Sequence, residues 1–256
     1  LPFDDFTGNH LMAKALAEFT TLTFDCYGTL IDWESGIWDA LQPLICVNQR
    51  DDIDRNTGLV TFAKIENAQE IETPGMLYPE LLMLVHQKIA RHLGLNTSDS
   101  LDQVFGNSVS HWPAFADSAD ALRILKKHFK LVILSNINRE GIAASTSKLG
   151  VEFDAIYTAE DVGSYKPDPR NFEYMLARLK TDHGIEPDQI LHTAQSLHHD
   201  HVPATAFGLA KAWIDRQGLK NSENWGATAR VEQRPEVDFM FSTMGEMARQ
   251  VASVAR

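Results

Sequence analysis

Short apolar runs recur along the chain from residue 21 onward. "TLTFD" (21–25), "LVILS" (131–135), "FDAIYTA" (153–159), "ILHTA" (190–194) and "KAWID" (211–215) are the clearest, and "VDFMF" (237–241) is a weaker sixth. Each is short and rich in aliphatic, β-branched or aromatic residues, as strands buried on both faces of a parallel sheet must be. Helical spacing fills the later gaps. In "SADALRILKKHF" (118–129) the apolar positions are Ala121, Leu122, Leu125 and Phe129. In "PRNFEYMLARLK" (169–180) they are Phe172, Met175, Leu176 and Leu179, and "TMGEMARQVASVA" (243–255) forms a last helix. Strands alternating with helices predict an α/β fold, with right-handed crossovers placing helices on both faces of a parallel sheet.

The gap between the first two strands is too long for one crossover. Residues 34–115 hold no convincing strand but several helix-like stretches: "GIWDALQPLI", "TFAKIENAQEI" and "LYPELLMLVHQKIARHLGL". This predicts a helical domain inserted after strand one, over the carboxyl ends of the strands, where open α/β sheets bind ligands. The expected layout is a leader over 1–19, a core over 20–33 and 116–256, and a helical unit over 34–115. Within the leader, residues 1–11 read as floppy and Met12 as a candidate natural start.

Composition narrows the partners. The chain has 256 residues, 44% of them hydrophobic and 23% charged, enough for a sizeable core. Its net charge of −12 argues against nucleic acid or an anionic membrane as partner. A small anionic substrate stays compatible, because a pocket can be locally positive. No apolar stretch reaches the ~20 residues of a membrane span, and "LPFDDFTGNHL" lacks a signal peptide's basic start and apolar centre. The two cysteines, Cys26 and Cys46, read as free thiols of a reducing compartment, and the cytoplasm is the expected location.

Candidate chemistry gathers at strand ends. Asp25 closes strand one, Gly28 permits a tight turn, and Thr29 can hydrogen-bond the carboxylate or the backbone. A lone Asp there is equally a helix cap. But "LVILSN" ends a second strand in Ser135 and Asn136, "GSYKPDPRNF" offers Lys166 before a helix, and "ILHTAQSLHHD" places Asp200 after a fourth strand. Strand ends on one edge of a parallel sheet converge. The set suggests Asp25 as nucleophile, Lys166 holding negative charge, and Asp200 pairing with Lys166 or orienting water. Trp33, Trp38, Phe62 and Trp112 are candidates for an apolar lid, with insert core the expectation for at least two. "HHDH" (198–201) reads as hydrogen-bonding or solvent-facing rather than as a metal site. No chemistry is assigned to "NWGATARVEQRPEVD" (224–238).

"FDCYGTL", "LSN", "YKPDP" and "SLHHD" resemble, in order and spacing, the four motifs of the haloacid dehalogenase superfamily, and the helical insert resembles its cap. That resemblance implies a Rossmann-like core and a covalent aspartyl intermediate on Asp25. Lys166 becomes the motif lysine, Ser135 the substrate-anchoring serine and Asp200 the late acid. The superfamily's magnesium-dependent phosphatases carry a second Asp where Tyr27 stands, and an acidic pair near the position of Gln195 and Ser196. No metal and no cofactor are therefore expected, and a phosphatase is a minor alternative. Asp-Cys-Tyr-Gly-Thr instead resembles the L-2-haloacid dehalogenase branch. That implies attack of Asp25 on C2 of a small carboxylic acid. The substrate carboxylate would be held by Ser135 and by the N–H groups of Cys26 and Asn136, with Tyr27, Trp33 and Ser196 as further substrate contacts.

The branch's halide-receiving cap arginine has no counterpart in "TFAKIENAQEIETPG", where Lys64 is the nearest cation, and Phe172 replaces a tyrosine. "ETPGMLY", "WPAF", "DVGSYKPDP", "HTAQSLHHDH" and "FSTMGEMA" resemble those branch members that open L-azetidine-2-carboxylate to 4-amino-2-hydroxybutyrate. A cationic ring nitrogen calls for an acidic pocket, which Glu66, Glu70 and Glu72 of the insert fit. Ring opening is thus the first expectation, dehalogenation the second, and a non-catalytic member binding a small acid or a protein the remaining alternative. Members of the branch are often homodimers, which makes that state an open expectation here.

Overall fold

The structure, a computed structural model, describes residues 14–254. All six foreseen strands are present: β1 (Thr21–Phe24), β2 (Lys130–Ser135), β3 (Ala155–Thr158), β4 (Ile190–Ala194), β5 (Ala210–Ile214) and β6 (Phe239–Phe241). They form one sheet in the order β3-β2-β1-β4-β5-β6, parallel throughout. The chain runs outward from β1 to β3, then returns to start again at β4 on the other side of β1. That reversal makes a crevice beyond the carboxyl end of β1, the usual ligand position in such sheets. All four residues of β1 are buried, Leu22 and Phe24 completely. Each such apolar side chain contributes about 1.5–3 kcal/mol by leaving water.

The helices are α1 (Trp33–Val47), α2 (Arg55–Glu72), α3 (Tyr78–Leu93), α4 (Asp99–Gly106), α5 (Ser118–Leu125), α6 (Arg139–Leu149), α7 (Ala159–Val162), α8 (Arg170–His183), α9 (Val202–Ala206) and α10 (Met244–Val254). The first five all lie between β1 and β2, and that segment holds no strand. Asp32 starts α1 by accepting the Ser35 N–H at 3.0 Å, and Asp54 starts α2 by accepting that of Thr57 at 2.7 Å. Such caps contribute about 1 kcal/mol each.

Two expectations needed adjusting. The helix expected over 118–129 ends at Leu125, because the chain turns there to bury Phe129 and enter β2. The expected leader is packed where it is described, with Leu16 and Phe19 buried against the core, while its residues 1–13 lie outside the described part. Among the described residues no helix is long and apolar enough to cross a membrane. Cys26 is buried, Cys46 exposed, and both are free thiols.

Candidate active site

Asp25 follows β1 and is held by its own N–H, which donates to the Thr193 carbonyl at 3.2 Å. The chain then folds back sharply: Leu30 and Ile31 both donate to the Cys26 carbonyl, and Gly28 takes a φ of +95°. A side chain at Gly28 would be strained there and would meet Gln195 Oε1 at 3.0 Å. The turn brings Thr29 beneath the carboxylate, where its hydroxyl donates to Asp25 Oδ2 at 2.9 Å and accepts the Gln195 N–H at 2.9 Å. Both expected roles of Thr29 are therefore filled.

Lys166 is buried, and its ammonium has three acceptors: Asp25 Oδ1 at 3.0 Å, Leu134 O at 3.0 Å and Asp200 Oδ1 at 2.7 Å. Its donor capacity is thus used up. Asp200 Oδ1 also accepts from His192 Nε2 at 3.0 Å, and His192 Nδ1 accepts from the Thr23 hydroxyl at 2.8 Å. His192 therefore orients Asp200, a role the sequence reading missed. Asp200 Oδ2 is buried with no hydrogen-bond partner among the described residues.

Burial raises the Asp25 carboxyl above its ordinary pKa, and Asp200 adds to that while Lys166 opposes it. Burial acts the same way on Asp200, but the Lys166 ammonium and His192 win and hold it below the ordinary range. Between two carboxylates the Lys166 ammonium stays charged, its pKa raised despite burial.

One cavity collects these groups. Asp25, Lys166, Asp200, Tyr27, Asn136, Ser196 and Trp33 all line it. Cys26 and Ser135 do not: both are fully buried behind the wall, and the Ser135 hydroxyl has no partner. Asn136 is pinned by its amide, which accepts the Lys166 N–H at 2.6 Å and donates to the Lys166 carbonyl at 3.0 Å. Tyr27 presents its ring to the cavity, edge-on to Trp112 at 5.4 Å. Its hydroxyl turns away to Ser145 Oγ at 2.8 Å. Ser196 accepts the His199 N–H at 3.0 Å and pairs with His199 Nδ1 at 3.1 Å.

The insert supplies the opposite wall. On α2, Ala63, Glu66, Asn67 and Glu70 follow helical spacing and face the cavity together. Glu66 accepts from the Tyr78 hydroxyl at 2.5 Å, and Glu70 accepts from Asn136 Nδ2 at 3.3 Å. Asn67 Oδ1 accepts from His199 Nε2 at 3.0 Å, tying insert to core. Burial pushes Glu66 up to about 7 and Glu70 well above its ordinary value, where Glu66 adds repulsion.

Several expectations are corrected. Glu72 is exposed and pairs with Lys88, so it takes no part. Lys64 is exposed and lines nothing. The expectation that at least two of the four lid aromatics belong to the insert core holds: Phe62 and Trp38 pack there, while Trp33 and Trp112 line the cavity. Ala227, Thr228 and Ala229, in the segment given no chemistry, close one side. Nothing in their polarity or spacing signals that. In the "HHDH" run His199 faces the cavity and burial drives it down to about 3, so it is neutral.

A divalent cation does not suit this set. Tyr27 supplies no carboxylate, and the Lys166 ammonium sits between the two Asp residues that remain. Among the described residues no group of three His, Cys, Asp or Glu is arranged for a metal.

The family profile described as haloacid dehalogenase-like hydrolase matches residues 19–193. An (S)-2-haloacid dehalogenase of Pseudomonas putida is 28% identical over 209 residues, 77% of this chain and 84% of its own length. (S)-2-haloacid dehalogenase 4A of Burkholderia cepacia is 26% identical over 204 residues, 76% and 82% of the two chains. In fold, the L-2-haloacid dehalogenase of Xanthobacter autotrophicus superposes with a TM-score of 0.74 at 19% identity, covering 91% of this chain and 98% of its own.

Proposed function

Because the chain belongs to the haloacid dehalogenase-like hydrolases, we propose that it opens L-azetidine-2-carboxylate by hydrolysis, with Asp25 as covalent nucleophile and without a metal. Asp25 attacks C2 with inversion, and the C2–N bond breaks to leave an aspartyl ester carrying a free amino chain. Water then attacks the Asp25 carbonyl carbon and releases 4-amino-2-hydroxybutyrate. Asp200 Oδ2, buried and unpartnered, is the acceptor we assign to that water. The substrate carboxylate is assigned to the backbone N–H of Asn136, the member of the expected anchoring set that lines the cavity. The helical insert is read as the cap that closes over it.

The observation that carries the choice of leaving group is the charge of the insert wall. Its two carboxyl groups in the cavity are Glu66 and Glu70, and the cavity's one lysine is committed to Asp25 and Asp200. A departing halide would find no cation on that wall, whereas a cationic ring nitrogen finds oxygen acceptors in Glu66 and Glu70. Relief of four-membered ring strain adds drive that an ordinary amine lacks. The second reading, hydrolysis of L-2-haloacids, is favoured by the names of the two relatives.

The test is incubation with L-azetidine-2-carboxylate and with L-2-chloropropionate, both in chelator. The first is expected to react faster, and Asp25→Asn to abolish turnover. A single turnover in ¹⁸O water should label Asp25 before product. Faster chloropropionate turnover would favour the second reading. Activity confined to a phosphate ester with magnesium would sink both.

A further inference from the structure

Two carboxylates one helical turn apart on α2, turned into the same cavity, are an arrangement that folding alone disfavours. Like charges at this spacing repel, and burial makes both costlier. Glu66 is engaged by the Tyr78 hydroxyl and Glu70 by the Asn136 amide, so neither is neutralised by a cation of its own. Facing the pair are Tyr78 from α3, Tyr165 and Lys166 from the segment after α7, and Asp25 and Asp200 behind that lysine. The two differ in exposure. Glu70 is buried at 7% and receives the core's Asn136 across the cavity, whereas Glu66 is the more open of the two.

We propose that Glu70 is the acid that protonates the leaving ring nitrogen, and that Glu66 holds the cationic end of the bound substrate. This rests on the ring-opening reading above. Before reaction the ring nitrogen carries two protons and a positive charge. As Asp25 forms its bond to C2, the C2–N electron pair passes to nitrogen, which becomes a neutral primary amine. Glu70 donates one proton, giving an ammonium beside the Glu66 and Glu70 carboxylates. Water then adds to the Asp25 carbonyl carbon and the ester C–O bond breaks. The proton left over after the product alcohol forms returns to Glu70. No co-reactant besides water is needed. Protonation as it forms traps the amine and prevents its return to C2, and a halide has no need of this step. Burial, with Glu66 one turn away, raises the Glu70 carboxyl well above its ordinary pKa and so favours the protonated form that donates.

The experiment compares wild type, Glu70→Gln, Glu70→Asp and Glu66→Gln on L-azetidine-2-carboxylate across pH. Glu70→Gln is expected to lower kcat about 100-fold or more. Wild-type kcat should fall as pH rises through the Glu70 midpoint, and that limb should be absent from Glu70→Gln. Glu70→Asp, which restores an acid, should recover part of the rate and keep the limb, and it serves if the amide variant does not fold. Glu66→Gln should act mainly on KM. Wild-type kcat in Glu70→Gln, or an unchanged high-pH limb, overturns the assignment and leaves the ring-opening reading standing. A wild type that dehalogenates L-2-chloropropionate but leaves the ring intact overturns both.

Discussion

Lys166→Met keeps the aliphatic stem and deletes the ammonium. That ammonium satisfies Asp25 Oδ1, Asp200 Oδ1 and the Leu134 carbonyl, at 3.0, 2.7 and 3.0 Å. Without it two buried carboxylates face each other, with only Thr29 donating to Asp25 and His192 to Asp200. Removing one partner of a buried ion pair costs about 3–5 kcal/mol. The pH dependence is the sharper test. Unfolded, both carboxyls titrate near pH ~4. In the wild type Asp200 lies below that range, so its contribution is complete above the unfolded midpoint and is lost as pH falls through the native one. In the variant burial raises Asp200 as well as Asp25, which is already raised in the wild type, so the native state binds more protons than the unfolded and stability falls as pH rises from ~4. Each unit of raised midpoint costs about 1.4 kcal/mol above it. Urea denaturation should therefore show a gap between the proteins of about 3–5 kcal/mol at pH ~8, narrowing by at least about 1.4 kcal/mol at pH ~5. Turnover should be absent at both. An equal gap at the two pH values would refute the charge argument and leave only lost packing.

Two further substitutions probe the cavity walls. Tyr27→Phe removes a hydroxyl that faces Ser145 and not Asp25, so stability should drop by about 0.5–1.5 kcal/mol while kcat/KM stays within about threefold; a tenfold fall in kcat would make that hydroxyl an acid after all. Gly36→Ala places a methyl 2.2 Å from Trp112 Cγ, so despite alanine's better helix propensity it should lower the melting temperature, by about 1–3 kcal/mol of overpacking, and raise KM through the displaced indole.

What the sequence made legible follows from how each part is encoded. The strands are uniformly apolar because both faces of the sheet are covered, and that is readable in one dimension. α6 is harder: in "REGIAASTSKL" its buried positions are Ile142, Ser145 and Leu149, too small and polar to draw a stripe. Asp25, Lys166 and Asp200 were findable because a parallel sheet gathers its strand ends. His192 was not, because inside β4 it occupies a core position like its apolar neighbours, and only the approach of Asp200, past the end of the strand, gives it a role. Thr228 and its neighbours enter the site from a loop whose path no local pattern dictates.

The division of charge between core and insert ties these parts together. A site that held magnesium would need several oxygen ligands, carboxylates among them, on the core side. Here Tyr27 removes one core acid and gives its polar end to Ser145. Lys166 puts one positive charge between the two acids that remain, so a substrate carboxylate on the core side depends on N–H donors rather than on a free cation. The acids reappear on α2, across the cavity, where Glu66 and Glu70 line the wall facing Asp25 and Lys166. A small molecule with a carboxylate at one end and a cationic nitrogen at the other fits that polarity in one orientation. In the proposed ring opening that orientation would present C2 to Asp25 and the nitrogen to α2, giving substrate choice and the direction of attack one electrostatic cause.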